Sequence, residues 1–171
     1  MKRSALIVSI VTGCLLFFIA TAYAVGKNEY TPVPKSPETT TVYIDRIDAK
    51  GGSVVLTVDD IQWYEGKAAD EQFLKREKDS GLDGAPDGYY IVNDDKTTRR
   101  LTVDPNAVVL MQIYDHTGNI DDVTTNWNEK VSLSKFVSIY RNNKLIDMRD
   151  YPFHVTVENG KVVKIVQQYI P

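Results

Sequence analysis

The fold is decided by residues 151–171, YPFHVTVENGKVVKIVQQYIP, where two alternating apolar runs, 153–157 and 162–169, flank Glu158-Asn159-Gly160. Asn-Gly between such runs is a strong hairpin signal. A two-residue loop at Asn159-Gly160 would set Val155 opposite Lys164 and Phe153 opposite Val166, and neither face would be clean. A three-residue loop, Glu158-Asn159-Gly160 with Gly160 left-handed in a bulge, puts Phe153, Val155, Val157, Val163, Ile165 and Tyr169 on one face. His154, Thr156, Lys164 and Gln168 then share the other. A one-residue slip exchanges the faces, so burial selects the three-residue register. A lone hairpin is marginal in water, and the apolar face needs a partner.

Upstream, the chain divides into three. Residues 1–24 read as a secretory leader: Lys2 and Arg3 form a basic start, Ala5 to Ala22 is an uncharged apolar run, and Ala22-Tyr23-Ala24 fits a small-x-small cleavage site before Val25. The run is also close to the length of a membrane-spanning helix, so a retained anchor is the rival reading. In both cases the basic start stays cytoplasmic and the rest is sent outside. A third reading makes Val11-Thr12-Gly13-Cys14 a lipoprotein box with Cys14 lipidated; the apolar Leu15–Ile19 that follows speaks against it. Residues 25–40 form a Pro-rich linker through Pro32, Pro34 and Pro37. Residues 41–171 are left for one domain.

Composition narrows the function classes. The chain of 171 residues has a net charge of −3, and loss of Lys2 and Arg3 makes it two units more negative. That balance argues against nucleic acid, and against membrane contact other than through the N-terminal segment. The single cysteine is Cys14, so the exported part has no disulfide, cysteine nucleophile or thiolate metal site.

Within the domain, a second hairpin is expected, with strands 42–49 and 54–58 about Gly51-Gly52. Val42 and Ile44 fall out of phase with Ile47, so a bulge or bend is expected near Asp45-Arg46, as in a curved, barrel-like sheet. Residues 67–78 read as a surface helix with a narrow stripe of Ala69, Phe73 and Leu74. Strands follow at 89–92, 100–103 and 107–114, the last two broken by Pro105. Residues 131–141 are the second helix, with Ser132 as N-cap, Val131 and Phe136 as a staple, and Leu133, Phe136, Val137 and Tyr140 on the buried face. The expected class is α+β: a mainly antiparallel sheet with two helices, closing as a small, partly open barrel like that of oligonucleotide/oligosaccharide-binding domains.

Catalytic patterns are thin. His116 and His154 are the only histidines, too few for a zinc site without several carboxylates. Acidic clusters at Asp79/Asp83/Asp87, Asp94/Asp95 and Asp115/Asp121/Asp122 suggest calcium, but the loop from Asp79 ends on Tyr90 where an EF-hand needs Glu. No nucleophile elbow or phosphate-binding glycine loop occurs. No cofactor is implied. Ten tyrosines and two tryptophans point to stacking: Trp63, Tyr64, Tyr89, Tyr90 and Trp127 are the candidate ligand-binding residues.

Ile61-Gln62-Trp63-Tyr64-Glu65-Gly66-Lys67-Ala68-Ala69 resembles a Trp-x-x-Gly-x-x-Ala segment of uncharacterised exported envelope proteins of Gram-positive bacteria. Asp87-Gly88-Tyr89-Tyr90-Ile91-Val92-Asn93, Arg99–Val103 and the hairpin ending Gln168-Tyr169-Ile170-Pro171 are similar to further segments of that family. The resemblance covers roughly 42–171. It implies a fold and an extracytoplasmic address, and no activity or catalytic residue comes with it. The expectation is an exported, membrane-tethered or secreted, non-catalytic domain that binds an envelope protein or cell-wall component. The alternatives are a small carboxylate-based extracytoplasmic hydrolase, and an inhibitor of a secreted enzyme that uses Trp127 or the 81–88 loop as its contact.

Overall fold

A computed structural model describes residues 30–170. The leader, the anchor alternative, Cys14 and the first part of the linker lie outside the described residues. Strands β1 (Thr39–Lys50) and β2 (Ser53–Glu65) form the expected hairpin about Gly51-Gly52. Their register shifts between Ile44 and Arg46, so Asp45 is a bulge. It brings Val42, Ile44 and Ile47 onto one buried face, which a regular strand would not allow.

Helix α1 (Lys67–Arg76) follows and buries Ala69 and Phe73. Strand β3 (Tyr89–Val92) then pairs with the far end of β2, from Gln62 to Glu65. The two strands expected around Pro105 are one, β4 (Thr98–Met111). Its ladders explain how proline is tolerated. Residues 98–103 pair with β2, and 108–110 pair with the C-terminal strand, with a register break between Val103 and Val108. Pro105 sits in that break, where no ladder needs its missing N–H. The strand ends at Met111 rather than Tyr114 because a side chain takes over: the Oε1 of fully buried Gln167 accepts the amides of Gln112 at 2.8 Å and Ile113 at 3.0 Å.

Short strand β5 (Glu129–Val131) leads into α2 (Leu133–Arg141), capped by Ser132 Oγ accepting from Lys135 N. Phe136, Val137 and Ile139 are its buried residues, with Leu133 and Tyr140 packed at the margin of the core. Ile139 extends the expected face. Tyr140 Oη donates to the Ile44 carbonyl at 2.7 Å, beside the β1 bulge, and burial pushes its pKa up to about 12, which keeps the donor proton in place.

Strands β6 (Pro152–Glu158) and β7 (Lys161–Gln167) form the last hairpin, in a register that corrects the sequence expectation. The loop is Asn159-Gly160 alone, with Glu158 opposite Lys161. Both loop residues are left-handed, φ 50° and 76°, as a two-residue type I′ turn requires. The extra residue lies on β7 instead. Val162 faces Val157 but Lys164 faces Thr156, leaving Val163 as the bulge. It brings Phe153, Val155, Val162 and Ile165 to full burial and leaves Val157 and Val163 half-buried.

The strands close in the order β1–β2–β4–β7–β6–β1, every pair antiparallel except β4 with β7. This is a closed five-stranded barrel, consistent with the small OB-like barrel expected, with α2 packing Phe136 edge-on against Phe153 in its core at 5.7 Å.

Gly160 has no atom within 4 Å of an added Cβ, so a substitution there meets only backbone strain. Gly160→Ala is expected to lower the urea midpoint by the equivalent of roughly 1–2 kcal/mol, and Gly160→Asn by less. Equal midpoints for glycine and alanine would contradict the turn.

Candidate ligand-binding cleft

β2 outruns the barrel, and its last four residues pair with β3 as a two-stranded ribbon. Side chains alternate across a strand, so the candidate aromatic residues fall on two sides. Trp63, only 8% exposed, stacks on Tyr89 at 4.7 Å with rings 15° apart. Tyr90 lies on the other face, edge-on to Phe73 of α1 at 5.8 Å, and its Oη donates to Glu77 at 2.6 Å. Tyr64 donates to Gln62 at 2.8 Å. Trp127 is elsewhere, between Tyr30 and Tyr169 with centroids at 5.4 and 5.1 Å. It pins the 113–128 loop to Tyr30 of the linker and to Tyr169 after β7, and joins no common platform with the other four.

What the ribbon does form is an open cleft of about 340 Å³. One wall is the end of α1 with Phe73 and Glu77; another is the following loop with Pro86 and Asp87; the third is Tyr89, Tyr90 and Ile91. Three consecutive strand residues cannot share a face, so the cleft wraps the free edge of β3. That edge is one end of the sheet order.

Hydrogen bonds tie the walls together. Arg76 at the end of α1 clasps Asp94, just beyond β3, through two bonds of 2.9 and 2.7 Å, and this pairing holds the Asp94 carboxyl below the ordinary carboxylate range. Asp70 Oδ1 accepts the Ala85 amide at 2.9 Å. A Cβ at position 84 would lie 2.6 Å from that same oxygen, so a larger residue there would displace the Asp70 carboxylate that holds Ala85. Gly66 N donates to the Gly88 carbonyl at 2.9 Å and ties the two ends of the α1 excursion together. The hydrogen bond to Glu77 raises the Tyr90 pKa, so its hydroxyl remains a neutral donor.

The histidines are occupied. His116 bonds Glu129 at 2.9 Å and the Tyr114 carbonyl at 3.0 Å. Burial opposes charge on Glu129, but hydrogen bonds from Tyr114, His116 and Asn126 outweigh it and keep the carboxyl below its ordinary pKa. His154 is on the outer face of the hairpin as expected, yet only 8% exposed. Val33, Pro34 and Lys35 cross over it and enclose a cavity of about 50 Å³ with Thr39, Thr41, Trp63 and Gln168. Gln168 Nε2 donates to the Tyr169 carbonyl, so its Oε1 accepts from both Tyr30 Oη at 2.6 Å and His154 Nε2 at 2.8 Å. His154 Nδ1 then accepts from the Thr41 hydroxyl at 3.0 Å. The ring is the neutral Nε2–H tautomer, and burial holds its pKa below the ordinary value. A cavity this small has room for water and little else.

Among the described residues no three of His, Cys, Asp and Glu converge to hold a metal ion. Two of the acidic turns are partnered locally. Asp115 accepts from Gly118 N and Asn142 Nδ2, and Asp95 accepts from Thr97 N. No protein family, curated protein or solved structure matches the chain.

Neutral buried His154 sets a pH dependence. Its contribution is complete above the unfolded pKa of about 6.5 and is lost as pH falls toward the depressed folded value, at roughly 1.4 kcal/mol per unit of depression. Melting temperature is expected to drop from pH 7.5 to 5.5, and His154→Gln to flatten that slope. An unchanged slope in the variant would contradict the buried neutral tautomer.

Proposed function

We propose that this chain is an exported, non-catalytic binding domain of the cell envelope, secreted or tethered by its N-terminal segment, and that it meets its partner at the β3 cleft. The address rests on the leader reading of residues 1–24 and on the resemblance of the Trp63 and Tyr89-Tyr90 segments to exported envelope proteins. The binding role rests on one observation: Tyr89, Tyr90 and Ile91 stand half-buried around an open cleft whose walls are fixed by the Arg76–Asp94 and Asp70–Ala85 bonds. Half-exposed aromatic residues on a rigid frame bind at low entropic cost, because the frame is ordered before the ligand arrives. The partner class is an envelope protein or a cell-wall component. OB-like barrels as a class carry ligands on strand faces and loops, which is analogy of fold alone.

A photo-crosslinking residue placed at position 90 tests both halves in intact cells, with position 144 on the exposed loop after α2 as control. The expected result is chain recovered outside the cytoplasm, with an adduct from 90 and none from 144. Chain confined to the cytoplasm contradicts the address. Absence of an adduct from 90 contradicts the cleft.

A further inference from the structure

Resting on the cleft reading, we propose that the occupant is an extended, basic peptide segment that adds to β3 as a further strand. Three observations converge on it. First, β3 ends the sheet order with its outer edge unpaired by any described strand. The other terminal strand, β5, is Glu129-Lys130-Val131, whose charges discourage pairing; β3 is Tyr89-Tyr90-Ile91-Val92, with no charge at all. Charged residues are a common guard on edge strands, and β3 lacks them. Second, the cleft lies along that edge, bordered by Tyr89, Tyr90 and Ile91, residues that alternate between the two faces of the strand. A peptide strand laid there would gain main-chain hydrogen bonds from β3 and place alternate side chains against Phe73 and Tyr90 on one face and Tyr89 on the other. Third, the cleft's two charged residues, Glu77 and Asp87, are both acidic, and the connecting segment 77–88 adds Asp79 and Asp83 against Lys78 alone. That charge favours a basic segment. It disfavours a second copy of this chain, whose β3 would bring the same carboxylates face to face.

The test uses the exported domain and a blocked synthetic heptapeptide of alternating lysine and valine or phenylalanine, beside the same peptide with glutamate for lysine. Binding is followed by NMR with amide hydrogen exchange. Alternate residues direct their N–H to opposite edges of a strand, so about two of the four β3 amides face outward. The expected result is saturable binding of the basic peptide and new protection of those outward amides. The acidic peptide should bind at least about tenfold more weakly, and Glu77→Gln with Asp87→Asn should weaken the basic peptide by about tenfold. Binding without β3 protection, or equal binding of the acidic peptide, overturns strand addition. A concentration-dependent dimer held through β3 without peptide overturns it in favour of a second copy. Failure of both peptides, together with a successful cross-link from position 90, removes this inference and leaves the cleft reading standing. Failure of both experiments removes both.

Discussion

Closing five strands into a barrel forces each long strand to bend while keeping its apolar side chains pointed inward. A regular strand cannot do both, because each bend must be taken up somewhere in the side-chain alternation. This chain solves the problem with three local defects. The Asp45 bulge re-phases β1, the Val163 bulge re-phases β7, and the Pro105 break lets β4 leave β2 and run parallel to β7. The core of Val42, Ile44, Leu56, Val109, Phe153 and Ile165 is fully buried because these defects align it. Helix α2 then supplies Phe136, and its Tyr140 satisfies the carbonyl beside the first bulge.

The same closure leaves β2 longer than the barrel needs. Its surplus, 62–65, finds β3 as a partner, and α1 covers one face of the resulting ribbon through Phe73. The cleft is therefore a consequence of barrel geometry: a strand that exits a closed sheet must end in an open edge. The other departures from regular pairing are closed off internally. Gln167 replaces the ladder at the end of β4, and Trp127 clamps its loop against Tyr30 and Tyr169. Among the described residues, unpaired backbone, aromatic surface and a net acidic charge coincide at β3.

Much of the fold was legible in the sequence because local signals agreed with it. Ser132 capped α2 as its side chain allows, and the phase conflict between Ile44 and Ile47 announced the β1 bulge. The last hairpin was misread for a physical reason. Apolar count alone cannot say where an extra residue sits, and a bulge at Val163 satisfies burial as well as one at Gly160 would. Pro105 read as a strand break because the sequence does not show which neighbour takes each part of β4. The candidate site was half legible. Tyr89 and Tyr90 do line the cleft, but Phe73, Glu77 and Asp87 join it only through the return of the 77–88 loop, which no local pattern encodes. Trp63 is buried against Tyr89, and Trp127 is half-buried between Tyr30 and Tyr169, the commoner use of a large aromatic ring. The burial of His154 depends on residues 33–35, whose composition reads as a free linker.

Hydrogen exchange of the free protein tests the central claim most directly, since barrel closure and the open edge make opposite demands on it. The account predicts strong protection for amides in the β4–β7 parallel ladder, residues 108–110 and 164–166. It predicts protection in β3 only at amides that face β2, with their outward neighbours exchanging rapidly. Rapid exchange along β4 and β7 would contradict the closed barrel, and uniform protection across residues 89–92 would contradict the open edge.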